Sequence, residues 1–273
     1  FRRLGDEANG ASIRNNLGLL HKNLCEWDAA IAYFGAALDF YRTDGRFADT
    51  GPPLMNLGIV HQKSGEWGRA EQCYLDASRV MQQVNDQLHV THTLIGRGNV
   101  ARLERRFADA ETHLREALDR ARTHGARREE VLSLEFLGEL EFDRGHGEQA
   151  LEFYQQALSL AERIAPEGDL VVELERRRAE ALCAAGSLDD ADRANQRARR
   201  LARLTDDRLE FAVTHRVAGE IALARGDRAG AIEAWRLGSA LLADCGERLE
   251  LGRVHLHLSA VIDEPREARR HLY

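Results

Sequence analysis

The chain has 273 residues, of which 44% are hydrophobic and 30% charged, and it carries a formal net charge of −7. That acidic balance supplies no global basic field for gripping phosphate backbones, which disfavours nucleic acid as the main partner. No apolar run reaches the roughly 20 residues of a membrane span, no signal peptide opens the chain, and Cys25, Cys73, Cys183 and Cys245 form no C-x-x-C pair, a pattern of free thiols in the cytoplasm.

From the start of the chain, one segment repeats. LGLLHKNLCEW, Leu17–Trp27, returns about forty residues later as LGIVHQKSGEW, Leu57–Trp67. A fixed period of this size marks a chain built from stacked supersecondary units. The predicted units run in order over 8–45, 48–85, 88–125, 128–165, 169–206 and 209–246, with a partial unit over 249–273.

Within each unit the same small residue comes first: Gly18, Gly58, Gly98, Gly138, Ala179 and Gly219. A turn position follows at Cys25, Gly65, Arg105, Gly145, Gly186 and Gly226, then Trp27, Trp67, Phe107, Gly147, Leu188 and Arg228. An alanine closes each of these steps, at Ala30, Ala70, Ala110, Ala150, Ala191 and Ala231. Bulky Phe34, Tyr74, Leu114, Tyr154 and Trp235 come next, with Asn195 in the fifth unit, and then Ala37, Ala77, Ala117, Ala157, Ala198 and Gly238. Spacings of three and four put these residues on one helix face, where the small ones admit a second helix closely. Each unit is therefore predicted to be two antiparallel helices joined by a short turn.

Between units stand Gly5, Gly45, Asn85, Gly125, Asp206 and Gly246, residues that tolerate the left-handed backbone of a sharp helix end. The column has one gap, near Pro166–Gly168, where the period gains an extra residue. Pro52, Pro53, Pro166 and Pro265 are expected at helix starts, where a missing N–H is tolerated. Both ends read as cut: FRRLGD aligns with the close of a second helix, LELGRVHLHLSAVI with a seventh first helix and PREARRHLY with the start of its partner. A single solenoid over 1–273, part of a longer polypeptide, is expected, since no polar cap is visible.

The succession Leu-Gly, Gly-x-aromatic-x-x-Ala, aromatic-x-x-Ala resembles the tetratricopeptide repeat. Its period, longer than the usual 34 or so, is similar to the extended repeats of bacterial transcriptional regulators of the maltose-activator and antibiotic-regulator type and of animal spindle-orientation adaptors. The resemblance covers nearly the whole chain. It implies an all-α fold, an α-α superhelix of about six and a half helix-turn-helix repeats, with the first helix of each pair lining a concave groove.

Carried over by position, the groove residues would be Asn15, Asn16 and Asn56, with Asn99 displaced in the third unit. Asparagine offers two donors and an acceptor, so a row of amides suits a peptide backbone; the competing reading is that the amides bond to neighbouring helices. The fourth unit would present Glu135, Phe136, Glu139 and Phe142, and the next two Arg176, Arg177, Glu180, Arg216 and Glu220. That sequence of surfaces suits a guest with basic and apolar side chains, although either phenylalanine could be core. Arg176 with Glu180 and Arg216 with Glu220 are four apart, and a salt ladder worth about 0.3–0.5 kcal/mol per pair is the favoured reading for these arginines.

Other signals are discounted. GRGNVA, Gly96–Ala101, has dinucleotide-motif letters but lies inside a first helix rather than after a strand. His21 and His61 take a position where the family usually has tyrosine. His255 with His257, and His89 with His92, lack a metal-binding arrangement, so no metal or other cofactor is expected. Arg193, Arg197, Arg199, Arg200 and Arg203 form a basic run that reads as a solvated outer face, with an acidic domain or RNA as rival partners. Arg97 and Arg178 fall where leucine is expected. No nucleophile stands beside a paired base, so an enzyme is not expected.

The expected function is a protein- or peptide-binding module, the sensor or scaffold arm of a larger bacterial signalling or transcriptional regulatory protein. Its partner would be a protein, a peptide or another domain of the same polypeptide. The rivals are a structural solenoid that oligomerises through uncapped ends and an RNA-binding helical repeat.

Overall fold

The computed structural model describes residues 6–262; Gly5, Pro265 and the segment PREARRHLY lie outside the described residues. Thirteen α-helices run in sequence: α1 (Asp6–Asn23), α2 (Trp27–Thr43), α3 (Gly51–Lys63), α4 (Trp67–Gln83), α5 (Gln87–Leu103), α6 (Phe107–His124), α7 (Arg127–Asp143), α8 (Gly147–Ile164), α9 (Asp169–Ala184), α10 (Leu188–Leu204), α11 (Arg208–Ala224), α12 (Arg228–Cys245) and α13 (Arg248–Val261). No strand interrupts them among the described residues, and the all-α class predicted from the period is the one observed.

The helix boundaries fall where the recurring residues put them. Trp27, Trp67, Phe107, Gly147, Leu188 and Arg228 each open the second helix of a pair. The residue two positions before each is left-handed: Gly65, Gly145, Gly186 and Gly226 at φ +77°, +84°, +78° and +82°, and Cys25 and Arg105 at +61°. The same conformation closes the pairs at Gly45, Asn85, Gly125, Asp206 and Gly246. The gap in that column has its own turn: Ala165 is extended, as a residue before proline should be, and Gly168 caps α9. Pro52 and Pro53 sit in the first turn of α3 as expected. Pro166 does not start a helix; it lies in the turn between α8 and α9.

The helices divide between Phe136 and Leu137 into two compact units. In the first, α1 packs on α2, α3 on α4 and α5 on α6, with α2·α3 and α4·α5 joining the pairs. Its core gathers Phe34, Leu38, Leu54, Leu57, Val60, Tyr74 and Val100. In the second, α9 packs on α10 and α11 on α12, with α8·α9, α10·α11 and α12·α13 joining them. Trp235, Leu242, Val254 and Leu258 are its fully buried anchors, each contributing about 1.5–3 kcal/mol through the surface it removes from water.

Close approach within a pair comes from the glycine column. A Cβ at Gly58 would stand 2.7 Å from Tyr74 Cε1, and one at Gly98 would stand 2.7 Å from Leu114 Cγ. The bulky side chain of the second helix thus occupies the space that a methyl group on the first would need. The fifth pair, whose second helix carries Asn195 at that place, has Ala179 instead of glycine.

Candidate functional site

In the first unit the expected row of amides is largely satisfied internally. Asn56 is buried, and its Nδ2 donates to Asn15 Oδ1 at 3.2 Å, bridging α3 and α1. Asn99 is buried and accepts from Arg102 Nε at 3.0 Å, inside α5. Asn16 alone of the four is exposed. Glu135 is fully buried, and Phe136 packs against Leu94, Ile95 and Ala117. GRGNVA is helical within α5, and Arg97 is half-buried with a buried Nε that makes no hydrogen bond. His21 stacks on Tyr33, with centroids 5.0 Å apart, and its Nδ1 meets Glu26 as His61 Nδ1 meets Glu66 at 2.7 Å, so both rings hold the carboxylate that follows the turn.

The second unit holds a cleft of about 400 Å³ whose lining comes from four first helices. α7 supplies Glu139, Phe142 and Asp143; α9 supplies Glu180, Cys183 and Ala184; α11 supplies Arg216 and Glu220; α13 supplies Arg253 and His257. Successive first helices lie side by side, as the contact of α9 with α11 demonstrates, so one side chain per helical turn from each reaches the same hollow.

Beneath the cleft lies a buried charge network. Arg176 Nη1 donates to Glu180 at 2.8 Å and its Nε to Glu210 at 2.7 Å. Arg216 reaches Glu220 and Glu250, each at 2.5 Å, and also Glu180. The two arginine side chains are only 6% and 4% exposed. The expected pairs four apart therefore form, but as part of a buried network spanning α9, α11 and α13, not as a surface ladder. The small increments of exposed pairs do not apply to it: removing one partner of a buried pair costs about 3–5 kcal/mol. Arg177 adds a further link, 2.5 Å from Glu139.

The protonation states follow from this wiring. Burial by itself would lower the Arg176 and Arg216 pKa values, but the surrounding carboxylates hold both guanidinium groups firmly charged. Burial pushes the Glu250 carboxyl upward, yet Arg216, followed by Arg253 and Arg176, outweighs it and pulls the group down to about 2. Glu220 is likewise lowered, burial being overcome by Arg216 and His257. Burial, then Glu220 and Glu180, raise the Cys183 thiol, so it is protonated and a poor nucleophile.

Along the rim, four carboxylates (Glu139, Asp143, Glu180, Glu220) face two guanidinium groups (Arg216, Arg253). Both arginines are engaged, Arg253 with Glu250 at 2.8 Å. Arg177 and Arg176 reach Glu139 and Glu180 from outside the lining, so with Glu210 and Glu250 counted six carboxylates face four guanidinium groups, and the hollow keeps excess negative charge beside Phe142. His257, discounted in the sequence for lack of a metal-binding pattern, stacks on Trp235 with centroids 4.9 Å apart and holds Glu220 at 3.0 Å. It was missed because its partners lie on other repeats. Of the expected site residues, Glu139, Phe142 and Arg216 come together here, with Arg176 just below, linked through Glu180.

On α10, Arg197 bonds Glu162 and Glu175 at 2.7 and 2.6 Å, and Arg193 pairs with Asp190. Arg178, at an expected leucine position, bonds Glu175 at 2.8 Å and is half-buried. No described helix is long and apolar enough to cross a membrane.

The tetratricopeptide repeat profile matches residues 9–83, 49–123 and 89–163. Comparison with curated protein sequences finds no match. Among solved structures, the chain is similar to the Rap conjugation gene regulator of the plasmid pLS20 in complex with the Phr* peptide, with TM-score 0.80 and 16% identity, covering 99% of this chain and 75% of that one. It is similar to NprR in complex with its cognate peptide NprX, with TM-score 0.70 and 14% identity over 95% of this chain and 76% of that one. Aspartyl phosphate phosphatase F from Bacillus subtilis has TM-score 0.70 and 11% identity over 96% and 67%. At these identities the likeness is one of fold.

Proposed function

The chain belongs to the tetratricopeptide repeat family, and on that basis we propose that it is a regulatory binding module, without catalytic activity, that captures a peptide or protein segment. The segment enters the cleft of the second unit and carries at least one lysine or arginine flanked by apolar residues. The observation that carries this reading is the surplus of acid around the cleft, six carboxylates against four guanidinium groups once Arg176, Arg177, Glu210 and Glu250 are counted with the lining. An incoming cation meets preorganised negative charge in a partly desolvated site, where a charge-assisted hydrogen bond is worth about 1.5–3 kcal/mol. Phe142 offers the apolar contact beside it.

The fold neighbours supply the precedent: two were solved with peptides bound. A sensor arm in a cytoplasmic signalling or transcriptional regulatory protein fits this mode of capture. The test is a screen of the protein against a random library of short peptides. Enrichment of lysine or arginine next to leucine, isoleucine or phenylalanine is expected; enrichment of acidic peptides would refute the reading.

A further inference from the structure

Three arginines of α10 are not consumed by the charge network. Arg199, Arg200 and Arg203 form no ion pair with any described residue, unlike Arg193 and Arg197 on the same helix. Arg199 is half-buried and donates through Nε to Thr214 Oγ1 at 3.3 Å and through Nη2 to the Thr214 carbonyl at 3.1 Å. Arg203 lies over the Phe211 ring, 4.9 Å from its centroid. On the other side of the site, the ring of His215 meets Phe211 edge-on at 5.0 Å. His215 is 8% exposed, and its Nε2 is buried with no hydrogen-bond partner. Asp192, the carboxylate that acts on Arg199, is taken by Arg225 at 2.9 Å.

From Arg203 and the unpartnered His215 Nε2, which both meet Phe211, and from Arg199 on the neighbouring Thr214, we infer an anion site on α10 and α11 that takes a phosphate monoester. The Arg203 fork and the outer Nη edge that Arg199 leaves uncommitted, one turn apart, match a tetrahedral dianion, which accepts from both and draws the imidazole in as a further donor. The arginines of the cluster span a single helical turn, and Asp206 and Asp207 follow after Leu204 and Thr205. A nucleic acid strand needs a longer track of cations, so a compact anion fits better. His215 supports this: burial first, and then Arg199 and Arg203, push its pKa down to about 4. A dianion would relieve that repulsion.

The site is independent of the cleft and is tested separately, by following the His215 ring resonances by NMR while adding inorganic phosphate, phenyl phosphate or a phosphoserine peptide. Binding should move these resonances, raise the His215 pKa by about one unit or more, and weaken about tenfold in Arg203→Gln, an exposed position whose change leaves helical content intact. Arg199→Gln should do the same. Inorganic and phenyl phosphate binding without the peptide would identify a small metabolite as the source; peptide binding would identify a phosphorylated side chain. Unmoved His215 resonances at millimolar phosphate, or tighter binding of oligonucleotide than of any phosphate monoester, would overturn the inference.

Discussion

Tyr154 fills the space in front of Gly138: a Cβ there would stand 2.5 Å from Tyr154 Cε1, while the tyrosine hydroxyl donates to Glu139 Oε1 at 3.3 Å. The residue that sets the helix spacing thus also holds a cleft carboxylate. Gly138→Ala forces the ring, which is 1% exposed, out of its pocket. A loss of about 1–3 kcal/mol is expected in chemical denaturation. Ala179→Gly should also destabilise, by about 0.5–1 kcal/mol, because Asn195 needs no such clearance.

Arg105 adopts φ +61° at a turn where four of the six equivalent positions carry glycine. A left-handed non-glycine residue costs about 1–2 kcal/mol, partly offset by the greater freedom glycine has when unfolded. Arg105→Gly should therefore stabilise the protein by roughly 0.5–1 kcal/mol, read as a higher denaturation midpoint. Its exposed stacking on Phe107, at 5.1 Å, contributes little against this.

The pair Phe136 and Phe142 separates packing from binding. Phe136 packs on Leu94, Ile95 and Ala117, so Phe136→Ala should lower stability by about 2–4 kcal/mol. Phe142 lines the cleft, and Phe142→Ala should leave thermal unfolding nearly unchanged while weakening peptide capture. Calorimetry and a binding titration on both variants distinguish these outcomes.

Acid should weaken the second unit through Glu250. Its folded pKa, about 2, lies below the 4.5 of a free glutamate. A depressed carboxyl contributes stability above its unfolded pKa and loses it as pH falls toward the folded value. Stability should therefore decline between about pH 4.5 and 2. Glu250→Gln should start less stable at neutral pH and decline less steeply, as measured by urea unfolding at several pH values.

The fold was largely legible because its signals are local and periodic. Gly45, Asn85 and Gly125 mark helix ends by backbone preference alone, and Trp27 or Phe107 opens a helix two residues after a turn. The charge network was only half legible. Arg176 and Glu180 share one helix and are visible as a pair, whereas Glu210 and Glu250 lie 34 residues beyond Arg176 and Arg216. That constant separation is itself a signal, since each arginine reaches the start of the next first helix. His257 and Trp235 left no such trace, because their stacking depends on how α12 and α13 pack. For the amides both readings were open in the sequence; Asn15 and Asn56, 41 residues apart and so one position out of register between adjacent repeats, bond each other across α1 and α3.

In the proposed function the acidic lining of the second unit's cleft selects a cationic guest. The most direct measurement is the affinity of one library-selected, arginine-containing peptide for the native protein and for Asp143→Asn, with Glu152→Gln as a control outside this cleft. Binding should be about tenfold weaker for Asp143→Asn, unchanged in the control, and similarly weakened when the peptide's arginine becomes glutamine. Equal affinity for the native protein and Asp143→Asn, with the peptide's arginine dispensable, would contradict that selection.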